Sequence, residues 1–254
     1  MKTNKISLRR INALTKRNFI QMIRDPLPLI FMIGLPLILL ILFYLLFHSM
    51  TSQFKMSAMA PSMVAFGQAF IALFISIAIS LDRSTSFLTR LFTTPMKASE
   101  YILSYFLSYI AIGIIQAILI LVVGGIFEPS LFSYHMILGI ISSLPLILFY
   151  ISIGILLGTL CNEKIVGGIN SIVIMGQSLL SGMWFPLEGL DKGFILVMNC
   201  LPFRSASSLI SNVVNYNSTI KIFDIWHPLV VLIIYLIMIS TISIVVFKRK
   251  MSIK

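Results

Sequence analysis

Three sets of side chains in this 254-residue chain have types and spacings that could do chemistry. His48, His135 and His227 are imidazoles of the kind a zinc ion takes, and the many serines could supply a nucleophile. The histidines follow no metal-ligand spacing, and no H-E-x-x-H or G-x-S-x-G pattern accompanies them. No G-x-x-x-x-G-K-[ST] loop is present to cradle a nucleotide. The third set does recognition rather than catalysis. Asp82, Arg83 and Arg90 stand among Leu81, Leu88, Leu91 and Phe92 at helix-like spacing, in the charged stretch Leu81–Glu100. Leu91 and Phe92 would be exposed to no purpose in a solvated connector, so a short helix that docks a soluble partner is the better reading. Thr94-Pro95 has the form of an N-cap followed by proline at the first helical position, where a new helix begins.

The elements on either side of that stretch are long apolar runs. The chain is 58% hydrophobic and 11% charged, with mean hydropathy +1.03, too little charge to cover a soluble domain. Leu27–Phe47, Pro61–Ser80, Tyr101–Ile126, His135–Leu160, Ile165–Phe185 and Pro228–Phe247 contain no Asp, Glu, Lys or Arg. Each is about twenty residues or longer, enough to cross about 30 Å of hydrocarbon as a helix. Barrel strands would be shorter and would alternate polar with apolar. The expectation is an all-α membrane protein with six transmembrane helices, a single domain over residues 1–254.

Charge sets the orientation. Seven basic residues precede Pro26, three lie between Arg83 and Lys97, Lys164 follows, and four come after Phe247, which is 15 of the 19. With both termini cytoplasmic all of these face inward, and only Lys55, Lys192, Arg204 and Lys221 face outward. The net charge of +11 therefore sets topology and does not indicate nucleic acid. Cys161 falls inside and Cys200 outside, so they do not pair within the chain. The first 24 residues are too polar for a signal-peptide core, and the next run is long enough to remain as a span.

Several segments add detail. Over residues 6–25 Leu8, Ile11, Leu14, Phe19 and Met22 share one helical face, and Arg9, Arg10, Lys16, Arg17 and Arg24 the other. That is an interfacial amphipathic helix, turned into the first span by Asp25-Pro26. Pro28, Gly34 and Pro36 predict an irregular start to that span. In residues 184–224 neither Phe194–Leu201 nor the SASSLISNVV stretch can cross alone, and one crossing of the whole would put Lys248-Arg249-Lys250 outside. A re-entrant helical hairpin in the outer leaflet fits better.

No Asp or Glu lies inside the six spans to relay protons or neutralise a coupling ion, so any work done must be driven from elsewhere. In the fifth span Asn170, Ser171, Gln177, Ser178 and Ser181 fall within an arc of about 120°. Such a stripe either lines a substrate path or bonds between helices. Gln68, Ala72, Ser76 and Ser80 form a weaker stripe in the second span, and Gly154-x-x-x-Gly158 reads as helix packing.

Two local patterns now carry a family resemblance: DRSTSFLTRLFTTPMKASEYIL before the third span, and GMWFPLEGL followed by LPF after the fifth. With the topology, they make the chain resemble an ABC-2 type transporter permease, the integral membrane half of an ATP-driven exporter, over nearly its whole length. The resemblance implies no catalytic residue and no cofactor in this chain. ATP and magnesium are held by a separate ABC ATPase subunit, which works with two permease chains, identical or different, in the lipid bilayer. It makes Leu81–Glu100, with 81–97 as its core, the cytoplasmic coupling helix. Asp82, Arg83, Arg90 and Leu91 then form the ATPase-docking surface, with Thr94 and Pro95 as the rigid link. Gln68, Asn170, Gln177 and Ser181 become translocation-pathway residues, and Trp184, Phe185 and Pro186 an outer gate. It implies export of an amphipathic cargo such as a drug, peptide antibiotic or lipid-linked molecule through a cell membrane. The Ile-, Asn- and Lys-rich usage points to a bacterial source. A membrane-embedded sensor or scaffold that docks a soluble partner without transport is the competing expectation.

Overall fold

The computed structural model describes residues 2–85, 87, 97–185, 189–216 and 220–252. Among these residues the secondary structure is helical throughout, with no strand. In chain order the helices are α1 (Lys2–Arg24), α2 (Pro26–Phe47), α3 (Met56–Ser84), α4 (Ala98–Phe127), α5 (Tyr134–Leu160), α6 (Glu163–Leu180), α7 (Lys192–Cys200), α8 (Pro202–Val214) and α9 (Ile222–Ser252).

Five of these, α2, α3, α4, α5 and α9, are long and apolar enough to cross a membrane. The fifth expected span, Ile165–Phe185, is represented by α6, 18 residues or about 27 Å long. Glu163, Lys164, Asn170 and Gln177 make it too polar to join those five. A sixth is reached only if α7 and α8, bent by 83° at Leu201, are taken together. Pro202 ends α7 because it cannot continue an upstream helix, and it starts α8 at the position where proline is tolerated.

Interhelical bonds fix which ends lie together. At one end the C-termini of α3, α5 and α9 meet the N-termini of α4 and α6: Asp82 bonds Tyr101, Arg83 and Lys250 bond carbonyls at the end of α5, and Ser84 bonds Glu163. At the opposite end Ser57 N–H donates to Glu128, Gln53 donates to the Gly182 carbonyl, and Asn215 donates to the Ser57 carbonyl. The first is called the basic end below.

α3 is the axis of the bundle, with 72% of its apolar window buried. Glycines let α5 approach it closely. A Cβ on Gly154 would stand 2.9 Å from the Ala72 carbonyl oxygen, and one on Gly158 2.8 Å from that of Ser76. The small-xxx-small reading of this pair is therefore a backbone-to-backbone contact.

The expected irregularity near Pro28, Gly34 and Pro36 is a turn of π-helix at Ile30–Gly34. The wider turn there absorbs the N–H missing at Pro36. α5 is interrupted at Ser143, just before Leu144-Pro145, for the same reason. α1 is longer than the expected 6–25 and lies along the first half of α4. Ser7 bonds Glu100, Asn18 lies 3.5 Å from the Ser104 hydroxyl, and Ser108 donates to the Thr15 carbonyl. Ile11 and Met22 are buried, whereas Leu8 is exposed. Asp25 closes the helix junction, its carboxylate accepting from Leu27 N–H at 3.1 Å ahead of Pro26. α4 begins at Ala98, where Glu100 reaches back to Lys97 N–H at 3.2 Å. The expected helix start at Thr94-Pro95 lies outside the described residues.

Candidate functional site

At the basic end the last turn of α3 carries two adjacent charges that are both engaged within the chain. Asp82 is 3% exposed. Arg17 of α1 donates to it from both terminal guanidinium nitrogens, Nη2 at 2.7 Å and Nη1 at 3.1 Å. Tyr101 and Tyr105 of α4, one helical turn apart, donate to the same carboxylate oxygen at 3.0 and 2.8 Å. One carboxylate thus ties three helices, with four hydrogen bonds to hold its charge away from water. Arg17 also lies over the Phe87 ring, 3.9 Å from its centroid. Burial opposes the charge on Arg17, but the hydrogen bonds and charge of Asp82 outweigh it and hold the pKa above the ordinary arginine value.

Arg83 points to the other neighbour. Its Nη1 donates to the carbonyls of Gly158, Thr159 and Cys161 at 2.9, 2.6 and 3.0 Å. Lys250 of α9 donates to Thr159 and Leu160 at 3.1 and 3.3 Å. The last carbonyls of a helix have no intrahelical donors and carry the negative end of its dipole, so two cations there satisfy both needs. Arg83→Ala is expected to expose these carbonyls and lower thermal stability by about 1–2 kcal/mol, measured by detergent-titrated unfolding.

The structure therefore brings Asp82 and Arg83 together with α1, α4 and α5 rather than presenting them outward. Arg90, Leu91, Thr94 and Pro95 lie outside the described residues, between these anchors and the Lys97–Glu100 cap. Sequence reasoning missed Arg17, Tyr101 and Tyr105. Arg17 was placed on the polar face of its helix, yet Asp82 directly after an apolar run required a counter-charge. The i, i+4 pair Tyr101 and Tyr105 was the available signal for where that charge sits.

The buried part of the α6 polar stripe bonds to three neighbouring helices. Asn170 donates to the Ser76 hydroxyl at 2.7 Å. Gln177 accepts from Tyr150 at 2.6 Å and donates to Ser207 at 3.1 Å and the Phe203 carbonyl at 3.3 Å, joining α6 to α5 and α8. Tyr150→Phe leaves the Gln177 carbonyl oxygen without its donor and is expected to cost about 1–2 kcal/mol, read by the same unfolding titration. Gln68 is fully buried, and neither amide atom has a partner among the described residues. Ser181 is buried in the turn after α6, accepting from Met183 N–H at 3.3 Å.

Ser171 and Ser178 turn the other way, into a cleft of about 570 Å³ between α2, α3 and α6. Its walls are mainly apolar and include an aromatic group, with Phe31 and Phe70 at 5.9 Å between centroids and Phe74 beside them. Beside the cleft Trp184 donates to Ser178 at 2.6 Å and packs against Phe43 and Phe66, with centroids at 4.8 and 6.3 Å. Gly182, with φ of 75°, provides the left-handed step that ends α6, and its carbonyl accepts from Gln53 at 2.7 Å. Phe185 is half-buried, and Pro186 lies outside the described residues.

The three histidines are dispersed. His48 stacks on Tyr44, His135 lies between Tyr134 and Tyr216, and His227 is beside Phe223. Among the described residues no three His, Cys, Asp or Glu side chains converge as metal ligands. Cys161 and Cys200 are both free thiols.

A helical bundle with five membrane-length apolar helices, an open apolar cleft and a charged end tied into its central helix fits a multi-pass membrane protein. The chain belongs to the ABC-2 type transporter family, which matches residues 9–214. It is thus a transport permease component of an ABC transporter, a family membership that implies association with an ABC ATPase. Such components are generally not catalytic themselves. No curated protein matches the chain significantly.

Proposed function

We propose that this chain is the membrane-spanning half of an ABC exporter, moving an amphipathic cargo outward with energy from ATP hydrolysed by a separate subunit. The observation that carries this reading is the Arg17–Asp82–Tyr101–Tyr105 cluster at the foot of α3. It joins the central helix to α1 and α4 next to the stretch that sequence singles out for docking. A push on that stretch would reach α3 directly, and through Arg83 it would reach α5. In this mechanism Arg90 and Leu91 contact the ATPase, Thr94 and Pro95 transmit its motion, and Asp82 and Arg83 distribute it among the helices.

The basic end is cytoplasmic in this reading, with both termini inside and α1 in the headgroup layer. α6 completes six crossings, and the bent pair α7–α8 dips into the outer leaflet as a re-entrant hairpin. Bonds from Gly182 and Asn215 to residues 53–57 support this, since they hold the start and the finish of that excursion near one end. The cleft between α2, α3 and α6 is the cargo path. Its apolar walls suit a hydrophobic chain, and Ser171 and Ser178 supply the polar groups in it. The expected pathway residues Gln68, Asn170, Gln177 and Ser181 are buried and do not line it. Trp184, Phe185 and Pro186 close it on the outer side. Two permease chains and two ATPases form the working unit in a bacterial cell membrane, and ATP and magnesium are bound by the ATPases alone.

Co-expression with a candidate ABC ATPase tests this reading. Purification through the permease should retain the ATPase, and reconstituted vesicles should move amphipathic cargo only when ATP is supplied. Retention of a soluble protein with neither ATP dependence nor cargo movement would replace this reading with the scaffold one.

A further inference from the structure

α8 carries a cation that no acid among the described residues compensates. Arg204 sits in its first turn, three residues beyond the 83° bend at Leu201, half-buried, with its Nη1 buried and without a hydrogen-bond partner among the described residues. The described acids at this end of the bundle are engaged elsewhere. Glu128 accepts from Ser57 N–H at 2.8 Å, Asp191 caps α7 at 2.8 and 3.3 Å, and Asp224 accepts from Lys221 N–H at 3.1 Å. None forms an ion pair with Arg204. A guanidinium half out of water with no counter-charge is unfavourable, and the deficit is met when an oxyanion arrives.

The surroundings of Arg204 suit such a group. Ser208, Ser211 and Asn215 follow it at i+4, i+7 and i+11, within an arc of about 60°, and all are half-buried. The other side of α8, with Ala206, Leu209, Ile210 and Val214, is buried in the bundle. Arg204, Ser208, Ser211 and Asn215 therefore share one half-buried side of α8, with its single cation at the bent end. The cap residue Leu201 offers no side-chain acceptor, so the first N–H groups of α8 present further donors beside the guanidinium.

We infer that Arg204 binds the anionic headgroup of an amphiphile, a phosphate or carboxylate, whose apolar chain lies in the surrounding hydrocarbon. This deepens the exporter reading and rests on it for one point only: that the amphiphile can be cargo as well as lipid. The planar fork of arginine pairs both oxygens of such a group, which the point charge of a lysine does less well.

The test uses the full chain in phosphatidylcholine nanodiscs, without any ATPase, so its outcome is independent of the transport reading. Dodecyl phosphate and dodecyl maltoside are titrated, and adducts are counted by native mass spectrometry. Wild type should retain dodecyl phosphate in preference to the maltoside. Arg204→Gln should bind the phosphate about tenfold more weakly, with Arg204→Lys between them. Arg204→Gln should also keep or raise the ligand-free melting temperature, because it removes an unpaired charge. Repeating the titration in equal parts phosphatidylcholine and phosphatidylglycerol separates the sources. Competition by the anionic lipid makes a bilayer headgroup the occupant, and its absence makes the free amphiphile the occupant. Equal phosphate binding by wild type and Arg204→Gln overturns the proposal. So does a ligand-free loss of stability or of dimer in Arg204→Gln, which would place an acid of a second copy against Arg204.

Discussion

Arg17→Ala is expected to lower the unfolding free energy by about 3–5 kcal/mol, the largest effect of any single charge removal in this chain. The asymmetry of the pair explains why Arg17 and not Asp82 is the sensitive member. The Asp82 side chain is 5% exposed and cannot reach water when its partner is removed, so a buried carboxylate without its counter-charge remains in the bundle. Two tyrosine hydroxyls still bond it, which places the effect toward the lower end of that range. The Arg17 side chain is 32% exposed and can swing outward, so Asp82→Asn should cost less, about 1–2 kcal/mol. The double change Arg17→Met with Asp82→Leu should recover most of the lost stability, because apolar replacement removes both desolvation costs. Unfolding by denaturing detergent, followed by circular dichroism, measures all three. Equal costs for the two single changes would mean that the pair is solvated and that the burial argument is wrong.

The second large effect is expected at Gly158. A Cβ there would meet the Ser76 carbonyl oxygen at 2.8 Å and the Ile79 Cβ at 2.9 Å. Backbone cannot rotate aside as a side chain can, so Gly158→Leu must push α5 away from α3. We expect a loss of about 3 kcal/mol or more, at the upper end of what overpacking costs. The displacement would also draw the end of α5 from Arg83, so coupling should suffer together with stability. Gly167 is the internal control. Nothing lies within 4 Å of a Cβ there, and Gly167→Ala should be neutral or stabilising by about 0.5–1 kcal/mol through helix propensity. Matching losses at the two glycines would show that backbone proximity is not what Gly158 provides.

These two sites illustrate what could be read from sequence. The apolar runs identify most of the membrane helices because a charge-free run of about twenty residues has few other uses. The Gly154-Gly158 spacing locates a close contact because only small residues permit one. The polarity of α6 was legible residue by residue, yet its cost for membrane crossing was not, since a stretch without Asp, Glu, Lys or Arg can still carry Asn170 and Gln177. Arg17 was misplaced for a physical reason. A helical wheel sorts residues by type around one helix and cannot know that α4 will present Tyr101 and Tyr105 beside Asp82. The division of the α6 stripe was hidden likewise, because Ser171 and Ser178 differ from Asn170 and Gln177 only in which neighbour they meet. Asp82 and Arg83 looked like surface charges next to a loop, and only the fold reveals that their partners are Arg17 and the end of α5.

The central claim is that the stretch between Asp82 and Glu100 transmits ATP-driven motion into α3 and α5. ATP hydrolysis by the co-purified permease and ATPase complex tests it most directly, comparing wild type with Arg90→Glu and Leu91→Asp. Both variants should retain a folded permease but lose the associated ATPase, or keep it while cargo no longer stimulates hydrolysis. A complex whose stimulated activity is the same in wild type and both variants would contradict the account and leave the stretch as a connector.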